Sequence, residues 1–227
     1  MVPLAVYAMN TVEHFLCSSS LWRFLTERQL LPWLLSGTIL GNHVLEIGAG
    51  YGPATPQLRL AVPRVTSIEY DARSTAKLKV HHDGGPGAAI RGDAAQLPFA
   101  DQTFSSAIAI LVLHHLKTRE SQNRMFAEVF RVLRPGGVFI AFEINDGWIH
   151  RVGHFKSTFT PVSPGSAFAR LTGVGFSRIA VDFTRGGFRL SANKEKEERA
   201  MPEPIGESLS VNSEDGGSRG LALKKGA

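Results

Sequence analysis

The stretch VLEIGAGYGPATPQL, residues 44–58, sets an acid, Glu46, ahead of three glycines at alternate positions, Gly48, Gly50 and Gly52. Glycine turns the main chain through φ > 0 and, lacking a Cβ, lets a ligand rest directly on backbone. Two further acids follow apolar runs: Glu69 in VTSIEYD and Asp93 in GDAAQLPF. A carboxylate offers two acceptor oxygens at the spacing of a cis-diol. His114 and His115 come after a long apolar run and are the residues best suited to move a proton near neutral pH. A last polar and aromatic group, Asp146, Trp148, His150 and His154, lies within residues 143–165 and fits one wall of a pocket for an organic molecule. This set binds and orients more than it reacts. No metal site is expected, since the His81–His82 pair has no further ligands at metal spacing.

These residues fall at the ends of seven strand-like segments. NHVLEIGAG, RVTSIEYD, AAIRGDA, SSAIAILVLHHL and VFIAFEI read as strands. PATPQLRLAV, ARSTAKLKVHH and RESQNRMFAEVFRVL, between them, read as helices, and RPGG as a turn. That alternation predicts an α/β fold, a doubly wound, mostly parallel sheet with helices on both faces. SPGSAFARLTGVG is a helix stopped by glycine. FSRIAVDF and GFRLSA, joined only by TRGG, must pair as an antiparallel hairpin.

Residues 1–36 form a helical segment that packs on the domain or lids its pocket, with Pro32 opening a second helix or kinking the first. Residues 37–193 form the main domain, and 194–227, rich in charge, Ser, Gly and Pro, read as a disordered tail.

The chain's formal charge of +5 raises the question of nucleic acid, but its basic residues are scattered and no basic run is interleaved with aromatics. A small-molecule partner is expected instead. The lone Cys17 excludes an intrachain disulfide and fits a reducing, cytoplasmic setting. The amino end lacks a basic region before an apolar core, so no secretory signal is expected. LWRFLTERQLLPWLL is too short and too charged to span a bilayer, and its Trp22 and Trp33 are expected to pack on the domain rather than on a membrane surface.

Two ligands suit a glycine-rich strand-to-helix turn. A dinucleotide needs G-x-G-x-x-G and free N–H groups at the helix start. Here the third glycine position holds Pro53, and Pro53 and Pro56 remove donors. The order of Glu46-x-Gly-x-Gly-x-Gly, Glu69, GDAAQLPFADQTF, AIAILVLHHL and RVLRPGGVFIAFE instead resembles the class I S-adenosylmethionine-dependent methyltransferases, specifically the small-molecule enzymes. The resemblance runs from about Asn42 to Ala192. It implies a Rossmann-like seven-stranded sheet and S-adenosylmethionine as cofactor, with S-adenosylhomocysteine as product. Glu69 would accept from the ribose hydroxyls and Tyr70 would line the adenine. Asp93 would take the adenine amino group, with Ala94 offering its backbone. Glu46 would face the methionine ammonium or cap the loop, and Ile110 would lie by the sulfonium. The activity implied is in-line methyl transfer to a small, fairly hydrophobic acceptor. A silent cofactor-binding sensor and a nicotinamide-dependent oxidoreductase are the competing readings.

Overall fold

The computed structural model describes residues 15, 17–145, 159–184 and 186–196. Seven strands form one sheet: β1 (His43–Ile47), β2 (Arg64–Glu69), β3 (Gly87–Arg91), β4 (Phe104–Ile110), β5 (Leu133–Ile144), β6 (Ser177–Phe183) and β7 (Gly187–Asn193). Their order is β3-β2-β1-β4-β5-β7-β6. The first five pair in parallel, while β7 runs antiparallel between β5 and β6. The doubly wound sheet with a terminal hairpin is thus the fold observed.

Alternation divides the apolar residues of the central strands between the two faces of the sheet. Leu45, Ile47, Ala107, Ala109, Phe139 and Ala141 enter one core, against Met125, Phe126 and Val129 of α5 (Arg119–Val132) and Leu171 of α6 (Pro164–Val174). Val44, Val65, Ile108, Ile140 and Phe142 enter the other, against Leu58 of α3 (Thr55–Ala61) and Leu31 and Leu34 of α2 (Leu31–Leu34). Burial on both faces demands an apolar residue at nearly every position. The remaining helices are α1 (Ser20–Leu25) and α4 (Ala72–Val80).

Helix ends follow their side chains. Thr118 caps α5 by accepting the Ser121 N–H at 3.1 Å, and Ser163 caps α6, whose first turn holds Pro164. Gly175, at φ 111°, ends α6 in the left-handed region as its sequence predicts.

Four expectations shift. First, Pro32 stands in the first turn of α2, as expected, but the junction with α1 is not a simple kink. A π turn, Thr26–Leu30, joins them, with the Leu31 N–H reaching back to Thr26 O. Because Pro32 has no N–H to give, the wider turn absorbs the missing bond. Second, β4 stops at Ile110, before the histidines. Leu111 takes φ 58° and Leu113–His115 form a 3₁₀ turn. Third, RPGG does not precede β5 but lies within it. Phe104 pairs with Leu133 and Ser106 with Val138, so residues 134–137 loop out opposite Ser105 alone. A Cβ on Gly137 would fall 2.8 Å from Arg134 O, which only glycine avoids.

Fourth, order runs past Asn193. Lys194 N–H donates to Gly137 O at 2.9 Å, and its Nζ donates to Phe130 O and Leu133 O, both at 2.9 Å. The rest of the expected tail, from residue 197, lies outside the described residues. Among those described, no helix is long and apolar enough to cross a membrane.

Candidate active site at the carboxyl edge of the sheet

The glycine turn leaves β1 and is pinned to β2. Gly48 N–H donates to Ile68 O at 2.8 Å, and Gly50 N–H donates to Glu69 Oε2 at 2.8 Å. Gly48, Gly50 and Gly52 have φ of 63°, 56° and 76°, where a side chain would be strained. Their surroundings differ. A Cβ on Gly48 would meet Val112 Cγ2 at 2.5 Å, and one on Gly52 would meet His81 at 2.6 Å. At Gly50 nothing lies within 4 Å, so the turn presents open backbone there.

Glu69 closes the next side. Its Oε1 accepts the Asp71 N–H at 2.9 Å while Oε2 holds Gly50, and the carboxyl stays partly exposed. Burial pushes its pKa up, against the backbone bonds that lower it. The Glu69 carbonyl accepts Gly92 N–H at 3.0 Å, which brings Asp93 alongside. Asp93 Oδ1 accepts the Ala95 N–H at 2.8 Å, and Ala94 is partly exposed between them. Burial and the Asp93 carboxylate both raise the Tyr70 pKa, so ring and acid are neighbours. Ile110, partly exposed, ends β4. Gly48, Gly50, Gly52, Glu69, Tyr70, Asp93, Ala94 and Ile110 therefore all lie along the carboxyl edge of adjacent strands, where open α/β sheets bind ligands.

Glu46 stands apart from this row. It is 4 % exposed, beneath the loop, and Oε2 accepts the hydroxyls of Thr55 at 2.7 Å and Ser67 at 2.6 Å. Desolvation raises its pKa to about 7, opposed by those two hydroxyls. Ser67 Oγ also lies 2.9 Å from His82 Nε2, and His82 is buried. This arrangement ties β1, β2 and the start of α3 together.

The histidines are likewise drawn inward. His114 is 3 % exposed, with Nδ1 2.6 Å from Glu143 Oε2. The ring of His115 lies 4.2 Å from that of His114. Sequence reasoning missed Glu143, Thr55 and Ser67. Glu143 carried a signal: it is the one acid in the otherwise apolar VFIAFEI. Asp146, Trp148, His150 and His154 lie outside the described residues, but the chain re-enters at Phe159–Thr160, where Thr160 N–H donates to His114 O at 2.8 Å. Among the described residues no cluster of His, Cys, Asp and Glu is placed to hold a metal.

Residues 45–141 match the family model described as "Methyltransferase domain". Over these residues the chain resembles a methyltransferase domain, and its sheet has the strand order expected of the class I fold. A probable S-adenosylmethionine-dependent methyltransferase of Mycolicibacterium smegmatis is 32 % identical over 125 residues, which cover 55 % of this chain and 44 % of that protein. A sterol 24-C-methyltransferase of Eremothecium gossypii is 25 % identical over 177 residues, 74 % of this chain and 46 % of that one. The chain spans just under half the length of these two curated relatives. Among solved structures, a chain from the "Complex between the Haloferax volcanii Trm112 methyltransferase activator and the putative methyltransferase" shares the fold. Its TM-score is 0.68 at 14 % identity, covering 83 % of this chain and 99 % of that one.

The Mycolicibacterium smegmatis relative is named for S-adenosylmethionine, and the edge described above fits that cofactor. Open backbone at Gly50 and an oriented, partly exposed Glu69 carboxylate provide for a sugar-bearing cation without phosphate.

Proposed function

We propose that this domain transfers the methyl group of S-adenosylmethionine to a small, fairly hydrophobic acceptor, leaving S-adenosylhomocysteine. The observation that carries the reading is the Gly50–Glu69 bond, which fixes a partly exposed carboxylate beside bare main chain. Glu69 would hold the ribose hydroxyls, and Asp93 and Ala94 the adenine edge, with Tyr70 along its face. When bound, the cofactor supplies a methyl group on a positively charged sulfur, already activated for in-line displacement.

The protein's task is then orientation, which alone can supply several kcal/mol of a barrier, about 7–11 at best. Ile110, Leu111, Trp33 and Phe142 give the adjoining edge an apolar character. The relative named for a sterol supports an acceptor of that character. His114 and His115 are candidates for proton transfer only where the acceptor arrives protonated.

Thermal shift against S-adenosylhomocysteine and NAD tests the cofactor. Stabilisation by the first alone is expected, and stabilisation by NAD alone overturns the reading. Incubation of a metabolite extract with labelled S-adenosylmethionine, read by mass spectrometry, should yield a methylated small molecule. Binding without any product would mark a silent sensor.

A further inference from the structure

We propose that Glu143 is a positioning residue for the methyl-donor site and acts through Val112, an inference that rests on the Gly48–Gly52 turn holding the donor. The chain leaves β4 through Leu111, whose φ of 58° is disfavoured for leucine. Something must hold that bend. Glu143, 1 % exposed at the end of β5, supplies the hold. Its Oε1 accepts the N–H groups of Val112 at 2.9 Å and Leu113 at 2.7 Å, and its Oε2 faces His114 Nδ1 at 2.6 Å. One carboxylate therefore gathers three consecutive residues of the turn. Buried N–H groups left without a partner are costly.

What the turn carries decides the function of this hold. The Val112 side chain occupies the space beside Gly48, where even a methyl group would be 2.5 Å from it. The glycine turn is thus clamped between Ile68 and Glu69 of β2 on one side and Val112 on the other. The same turn holds the far side of the site. Leu113 O accepts from Gln122 Nε2 at 2.9 Å, and His114 O accepts the Thr160 N–H at 2.8 Å. Glu143 sits under both halves without facing the cofactor's edge itself.

The test is a double-mutant cycle on the full chain, with S-adenosylhomocysteine as probe and affinity read by calorimetry well below each variant's melting temperature. Glu143→Ala and Val112→Ala are each expected to weaken binding about tenfold or more. The double variant is expected to bind within about twofold of Glu143→Ala, because the two changes remove one interaction. Glu143→Gln, which retains an oxygen for the two amides, is expected to stay within about threefold of wild type. General destabilisation alone would show neither the coupling nor the rescue.

If Glu143→Ala does not fold, Val112→Ala and Glu143→Gln decide the matter. Wild-type affinity in Val112→Ala overturns the proposal, as do multiplicative losses in the cycle. Loss in Val112→Ala together with retention in Glu143→Gln supports it. A wild-type protein that does not bind S-adenosylhomocysteine overturns the assignment of the glycine turn, and this inference with it.

Discussion

Glu46 and Glu143 stand at the carboxyl ends of two parallel strands, each almost wholly enclosed, yet they are solvated by the protein in different ways. Glu46 faces the α3 side of the sheet and receives two hydroxyls on one oxygen. Glu143 receives two backbone amides and faces an imidazole. A hydroxyl can reverse its role, so the site at Glu46 accommodates either protonation state, while burial raises its pKa to about 7 against the pull of those hydroxyls. A backbone N–H only donates, so the site at Glu143 requires an acceptor. The comparison separates a carboxyl that links elements from one that maintains a backbone conformation.

The largest expected effect would break the comparison at its stronger half. Glu143→Ala leaves buried donors without a partner and should lower stability by about 3–5 kcal/mol in denaturant melts. Glu69→Ala, on the partly exposed edge, should melt close to wild type while losing affinity for S-adenosylhomocysteine. If Glu143→Ala melts as wild type, or Glu69→Ala melts far below it, the two regions do not differ as argued.

Next in size is the pH response of Glu46. Its folded pKa is raised from an ordinary 4.5 to about 7, so the native state holds a proton more tightly than the unfolded chain. Its contribution to stability is therefore lost as pH rises from about 4.5 to about 7 and stays lost above that. The full shift corresponds to about 3 kcal/mol. His82, whose pKa burial lowers, acts in the opposite sense and costs stability as pH falls below its ordinary value. Glu46→Gln isolates the first effect: relative to wild type it should gain stability between pH 5 and 8. Urea melts at several pH values check this, and a constant difference across the range would refute it.

The smallest effect concerns the chain end. Truncation after Lys196 should leave the melting temperature nearly unchanged. Truncation after Asn193 removes the Lys194 bonds to Phe130, Leu133 and Gly137 and should cost about 1–3 kcal/mol. Equal melting temperatures would show that those bonds add nothing to stability.

The sheet was legible because two-sided burial writes itself as apolar runs, and the acids at its carboxyl edge were legible because they follow those runs. Glu69 and Asp93 could be placed for that reason. The enclosed polar residues were harder. Nothing in SIEYD marks Ser67 as a donor to Glu46, because that bond joins positions 21 residues apart. The end of β4 was missed because AIAILVLHHL is apolar past Ile110. The bend at Leu111 is maintained from β5, by a side chain about 30 residues away. Lys194 was assigned to the tail by composition, although its ammonium ends α5 by meeting the carbonyls left over there.

The π turn at Thr26–Leu30 has a rotational consequence. One additional residue turns everything before it by about 100° relative to a regular helix. Counted back from Leu34 at regular pitch, Arg23 would fall on the same stripe as that fully buried leucine. The additional residue carries it off the stripe, and Arg23 is exposed. The length of this segment is therefore a phase setting: removing a single residue between Thr26 and Leu30 would swing a guanidinium toward the oily side of the bundle without altering any residue that touches the sheet.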